Sequence, residues 1–174
     1  MIFNKRPIIV IGFICLLQCA AFPDKVLSSD RTAAPFAKER VKIVFTGFYR
    51  FDFEKKLVLE KLVQKGFIED TNSSKEIQII LQKRDSKYNY PLLHAANWFL
   101  TFFTAGMIPY HIRSEQTLTF RYSDQNKILK ESVFNIGMDQ WRGIPVVIFT
   151  PTNWPSKIYS NMIKETVELE RFQN

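Results

Sequence analysis

Leu92-Leu93-His94-Ala95-Ala96-Asn97-Trp98-Phe99-Leu100-Thr101-Phe102-Phe103-Thr104-Ala105-Gly106-Met107-Ile108-Pro109-Tyr110 is the longest uncharged apolar run of the chain, and its reading decides the rest. It approaches the roughly 20 residues that a membrane-crossing helix needs. Its polar members argue for another use. His94, Asn97, Thr101 and Thr104 recur at helical spacing, so a helix here carries one polar stripe and one broad aromatic face. Three readings follow: a buried helix, which the stripe favours, a helix lying in a membrane interface, and a span over 92–110. Gly106 and Pro109 end the helix, because Gly accepts a C-terminal cap geometry and Pro cannot donate to a continuing ladder.

Working outward, Val41, Ile43 and Phe45 alternate with Lys42 and Val44 as a strand. Asp52 opens a helix running to about Lys65, with Leu57, Val58, Leu59, Leu62 and Val63 as its apolar face and Gly66 as its stop. Ile77, Ile79 and Leu81 form a second strand. Beyond the central run, Thr117 to Tyr122 alternates cleanly, Ser123-Asp124-Gln125-Asn126 reads as a turn, and Ile128 to Ile136 returns as its partner, closed by Gly137. Ile144 to Phe149 is apolar but too short to span a membrane. A last helix runs from Pro155 to Phe172. The order predicts the α+β class: a small mixed or antiparallel sheet built as strand-helix-strand, then an apolar helix, a hairpin and a C-terminal helix, with the helices packed on the sheet.

The N-terminus has the composition of a secretory signal: Lys5-Arg6, an apolar core from Ile8 to Leu17, and small residues around Cys19-Ala20-Ala21. Leu16-Leu17-Gln18-Cys19 resembles a bacterial lipobox, with Gln18 where the stricter pattern has Gly, Ala or Ser. The resemblance implies cleavage before Cys19 and lipidation of its thiol. Cleavage after Ala21, giving an unlipidated exported chain, and an uncleaved anchor are the alternatives. From residue 20 to 40 Ser, Asp, Lys, Ala and Pro dominate without an apolar period, which reads as a tether. The expected organisation is a lipoprotein signal peptide over 1–18, a flexible tether over 19–40 and a single α+β domain over 41–174.

The chain of 174 residues carries a net charge of +7, and two of its cations, Lys5 and Arg6, fall in the leader. Sixteen Phe residues promise a ring-rich core or a membrane-facing patch. Both cysteines, Cys15 and Cys19, lie in the leader region, so the remainder has no disulfide and no thiolate site. His94 and His111 have no carboxylate at metal-ligand spacing, and neither a nucleophile elbow nor a phosphate-cradling glycine loop occurs. No catalytic residue, metal or cofactor is expected. Thr46 to Phe53 lacks the small residue that lets bases stack on an RNA-binding strand, so nucleic acid is not an expected partner. Trp98, Trp141 and Trp154 could line a membrane interface, although burial is the favoured reading for rings of that size.

The order of strand, helix capped by Gly-Phe, strand, apolar segment ending in Gly106-Met107-Ile108-Pro109, hairpin, Trp141-Arg142-Gly143 and terminal helix resembles small bacterial envelope lipoproteins. That group carries no known catalytic residues, so the resemblance transfers none. The expected function is a lipid-anchored bacterial envelope protein facing the periplasm or the cell surface, with a binding or structural role at the membrane. Its anchor is the lipid on Cys19. Its contact surface is Trp98, Phe99, Phe102, Phe103, Met107, Ile108 and Tyr110, offered to an envelope protein or a lipid headgroup. A periplasmic or secreted hydrolase using His94 with distant carboxylates, and a small integral membrane protein spanning at 92–110, are the competing classes.

Overall fold

A computed structural model describes residues 19–28, 34–36, 39–84, 88 and 90–170. The expected signal peptide over 1–18, with its lipobox-like residues before Cys19, lies outside the described residues, as does the part of the expected last helix beyond Glu170.

The sheet is not small. It has seven strands in the order β1-β7-β6-β5-β3-β4, with β2 pairing β7 as well. The strands are β1 (Cys19–Pro23), β2 (Leu27–Ser28), β3 (Arg40–Thr46), β4 (Ile68–Glu69), β5 (Lys75–Arg84), β6 (Tyr110–Asp124) and β7 (Lys127–Arg142). The helices are α1 (Asp52–Gln64), α2 (Pro91–Phe103) and α3 (Pro155–Leu169), and Ile144–Phe149 is a 3₁₀ turn. The expected small sheet therefore falls short by three strands, and its hairpin is far longer than the alternation suggested. Local periodicity ends where side chains become half-exposed, whereas backbone pairing continues as long as a neighbouring strand remains to bond.

The described chain divides into two compact units, one drawing on Met1–Asp24, Ser86–Ser114 and Met138–Tyr159, the other on Lys25–Asp85, Glu115–Gly137 and Ser160–Asn174.

In the second unit, β3 and β5 run parallel, with Ile43 beside Ile77 and Phe45 beside Ile79. Parallel neighbours need a crossover, and α1 supplies it. Gly47 turns the chain out of β3 at a positive φ, where a Cβ would collide with the Leu81 carbonyl. On the other side β5 meets β6 antiparallel, placing Ile77 opposite Tyr122, Ile79 opposite Phe120 and Leu81 opposite Leu118. All six are buried. Cross-strand pairs of aromatic and branched side chains are the unit of sheet stabilisation. Leu57, Val58 and Leu62 of α1 and Met162, Ile163 and Val167 of α3 are buried in this unit too. The β6–β7 turn uses Gln125 and Asn126, both at positive φ, as a twist-compatible two-residue hairpin turn requires.

One buried cluster here is polar. Glu170 Oε1 accepts from Tyr122 Oη at 3.1 Å, Lys130 Nζ at 3.1 Å and Ser132 Oγ at 3.2 Å. Burial pushes the Tyr122 hydroxyl well above its ordinary range, and the Glu170 carboxylate adds to the shift. A buried carboxylate is tolerable only with its lone pairs occupied in this way.

In the first unit, β1 pairs antiparallel with the far end of β7, Cys19 opposite Arg142 and Phe22 opposite Asp139. Residues 19–23, expected to begin a tether, are thus strand, and Leu27–Ser28, which belongs to the second unit, is a further short strand. Ala20 and Ala21 are fully buried. Asn153 clamps this strand: its carbonyl accepts from the Ala21 N–H at 2.8 Å and its side-chain amide donates to the Ala21 carbonyl at 3.1 Å. Small residues can mark a protease site or a tightly packed strand, and composition does not separate the two.

Candidate functional site

The central run forms α2, as the spacing predicts, and its end comes where Gly106 and Pro109 put it. Ala105 and Gly106 take positive φ, and the Gly106 N–H returns to the Thr101 carbonyl at 2.8 Å. The polar stripe is fully employed. Asn97 Nδ2 donates to the Pro109 carbonyl at 3.0 Å while its Oδ1 accepts from the His111 N–H at 3.1 Å, so one side chain fastens the helix to the strand that follows. Thr101 and Thr104 hydroxyls donate back to carbonyls one turn earlier. Tyr110 Oη lies 3.0 Å from His94 Nε2. Burial raises the Tyr110 pKa most, Tyr88 adds to that, and Arg142 opposes it. Its phenol therefore stays protonated and able to donate at neutral pH.

The apolar face is where the structure departs from the buried reading. No residue of α2 is buried. Leu92 is 83% exposed, Phe103 78% and Phe102 70%. Of the seven residues expected to form a contact surface, Trp98, Phe99, Phe102, Phe103, Met107 and Ile108 are exposed and Tyr110 is half-buried. The favoured burial of the three tryptophans fails likewise, since Trp98, Trp141 and Trp154 all remain substantially exposed. Hydropathy ranks how much a segment gains from leaving water and does not say what surface receives it. Nor does α2 support the span: with 13 residues it is too short, and no helix among the described residues is long and apolar enough to cross a membrane.

Beside this face lies a groove of roughly 390 Å³ lined by Trp98, Thr101, Phe102, Ala105, Gly106, Tyr110, Arg142 and Gly143. Its floor depends on a close backbone approach. Gly143 has φ of 150°, and a Cβ there would lie 2.8 Å from the Gly106 carbonyl oxygen and 3.0 Å from Pro109 Cα. The lining is apolar and aromatic except for Thr101 and Arg142, and the Arg142 guanidinium has no side-chain hydrogen bond or ion pair among the described residues. A concave, mostly apolar site with one placed charge is the usual form of a ligand pocket.

A second cluster in the same unit is polar. His111 Nε2 lies 2.8 Å from Asp139 Oδ1, and Arg113 Nη1 donates to both Asp139 oxygens at 3.2 and 3.3 Å while its Nη2 donates to Asp24 at 2.7 Å. Tyr88 stacks on His94 with ring centroids 3.7 Å apart, and His111 leans on Trp141 at 4.7 Å. The structure therefore gives a carboxylate to His111 and surrounds His94 with tyrosines, the reverse of what a hydrolase built on His94 requires. Sequence reasoning missed this pairing because Asp139 is 28 residues from His111. Extending the hairpin outward from its turn would have brought the two to the same level. Among the described residues no group of three or more His, Cys, Asp or Glu side chains could hold a metal.

Cys19 stands at the edge of this unit with its thiol 3.8 Å from Gln140 Oε1. In register with Arg142, it places its strand next to the residue that charges the groove.

No protein-family model matches this chain, and no curated protein matches it. A solved structure similar to it is a dodecameric PelC from Paraburkholderia phytofirmans, with 11% identity over 86% of this chain and 98% of that one and a TM-score of 0.37. Likeness at that level carries no argument about what this chain does, so its function rests on the geometry above.

Proposed function

We propose that this chain is a lipid-anchored protein of a bacterial envelope, held by diacylglyceryl-modified Cys19, with a non-catalytic binding role at the membrane surface centred on α2 and the groove beside it. The observation that carries this reading is the packing of β1. Cleavage before Cys19 keeps the strand Cys19–Pro23 whole, whereas cleavage after Ala21 would cut through it and discard two fully buried alanines and the Asn153 clamp. Exported chains processed at that second position would lose part of their own fold. Lipidation costs little by comparison, because the thiol's contact with Gln140 is long and weak.

The exposure of α2 supports the second half of the reading. A helix with no charged residue and no buried residue has its apolar face to offer, and contiguous apolar surface of this kind marks a protein or membrane contact. Intact mass of the natively expressed protein tests the anchor. A chain beginning at Cys19 with added acyl mass is expected; one beginning at Phe22 without lipid overturns the proposal.

A second reading, hydrolysis, draws on one observation: the His111–Asp139 pair has the distance of an oriented base. Replacement of His111 by Gln should abolish any hydrolytic activity found with model esters if that reading is right.

A further inference from the structure

We propose that the groove formed by α2 and the Arg142-Gly143 turn seats one anionic phospholipid of the bilayer, its phosphate on the Arg142 guanidinium and its acyl chain against Trp98 and Phe102. The proposal deepens the membrane-surface reading and rests on it.

Charge complementarity selects the occupant. From Pro91 to Tyr110 there is no Asp, Glu, Lys or Arg, so the wall of the groove is electrically neutral and the single cation at its rim is Arg142. An exposed guanidinium without a carboxylate partner among the described residues, set against apolar and aromatic walls, matches a molecule that is anionic at one end and aliphatic along the rest. A peptide with one acidic residue would need partners for its backbone N–H and C=O groups, and the lining offers few: Thr101 already donates to Asn97 and Tyr110 is engaged with His94. An acyl chain makes no such demand. The volume of roughly 390 Å³ suits one chain and part of a headgroup, not a folded segment.

Position supports the same occupant. Cys19 is the register partner of Arg142, so a lipid on Cys19 enters the bilayer within a few ångströms of the groove rim. Trp98 and Tyr110 have the amphipathic rings that settle at the headgroup level. Leu92, Phe99, Phe102 and Phe103 supply the face that a helix lying in the interface submerges. The anchor thus brings the groove to its ligand at a high effective concentration, and a site of modest intrinsic affinity stays filled.

The test uses the full chain reconstituted into phosphatidylcholine vesicles. Flotation reports whether the protein is membrane-bound at all. Tryptophan emission is then followed as a small fraction of the lipid is replaced by phosphatidylglycerol with brominated acyl chains, or by brominated phosphatidylcholine at the same mole fraction. The expected result is saturating quenching at about tenfold lower mole fraction of the anionic lipid, a ratio typical of one charge-assisted contact. Arg142→Gln should remove that preference, and Trp98→Phe should remove the selective part of the signal while leaving the Trp141 and Trp154 background. Thr101→Phe, which narrows the groove without touching the charge, should remove it as well. Equal quenching by both lipids in the unaltered protein overturns the proposal, as does a preference that survives Arg142→Gln. Displacement by millimolar inorganic phosphate would mean a free-anion site and also overturns it. If the protein floats but shows no preference, the groove assignment fails and the anchor stands; if it does not float, the membrane-surface reading itself fails.

Discussion

Helices α1 and α2 are each 13 residues long, and they invert the usual relation between composition and burial. The first, Asp52–Gln64, is rich in Lys, Glu and Asp, yet it buries Leu57, Val58 and Leu62 and even Glu54, whose Oε1 accepts from Ser160 Oγ at 3.2 Å. The second has no charged residue and buries none of its thirteen. Burial therefore follows from what the sheet makes available, not from how apolar the helix is. The crossover between two parallel strands must lie on the sheet. A helix fastened by Asn97 and His94 to the strand after it is held by its polar stripe, which leaves its aromatic face free. In the second unit large apolar side chains are buried and maintain the fold, and in the first the aromatic side chains of α2 stay exposed.

The contrast can be broken most decisively at Phe120, which is fully buried and sits edge-on to Phe134 at 5.9 Å. Replacing it with Ala should cost about 3–5 kcal/mol in denaturant unfolding; a loss under about 1 kcal/mol would mean that this core is looser than its packing implies.

Next in size is Glu170→Ala, which removes the buried carboxylate that accepts from Tyr122, Lys130 and Ser132. About 3 kcal/mol should be lost in denaturant unfolding. Gly143→Ala acts on the first unit. Its Cβ meets the Gly106 carbonyl and Pro109, so about 1–3 kcal/mol of strain is expected, with hydrogen exchange quickened around Ile144, whose N–H bonds Gly106.

Smaller still is Tyr122→Phe, expected to cost about 1 kcal/mol near neutral pH. Its signature lies in alkali. A tyrosine whose folded pKa is raised keeps its full contribution below the ordinary value of 10.0 and loses it as pH climbs, because the unfolded chain then releases the proton first. The variant should therefore show a flatter decline of stability above that pH. Phe103→Ser closes the series at within about 0.5 kcal/mol, while lowering retention on phosphatidylcholine vesicles. A large stability loss there would mean that the face of α2 belongs to the core after all.

Much of the second unit was legible in the sequence because its physics is local. The alternation of Ile77, Ile79 and Leu81 and of Leu118, Phe120 and Tyr122 reports the two buried faces directly, and Gly66 marks the end of α1. Cys19-Ala20-Ala21-Phe22-Pro23 was not legible as a strand, since it lacks branched residues and gains its order from Asn153, more than a hundred positions away. The same holds for the candidate site. Its aromatic members could be named from the central run, and so could the polar stripe. Arg142, which gives the groove its only charge, and the His111–Asp139 pair depend on how far the β6–β7 hairpin extends. Neither composition nor spacing reports that distance.

Helix α3 has a further consequence through the partners it reaches. Ser160 bonds to Glu54 across 106 positions, Lys61 to Glu168 across 107, and Glu170 gathers Tyr122, Lys130 and Ser132 from 38 to 48 positions back. Contacts of such sequence separation form late and slow the search for the native state. During synthesis, a chain emerging residue by residue can pair its hairpin but leaves the Tyr122 hydroxyl without the Glu170 carboxylate until residue 170 arrives. The order of the chain thus delays closure of the second unit until α3 has been made.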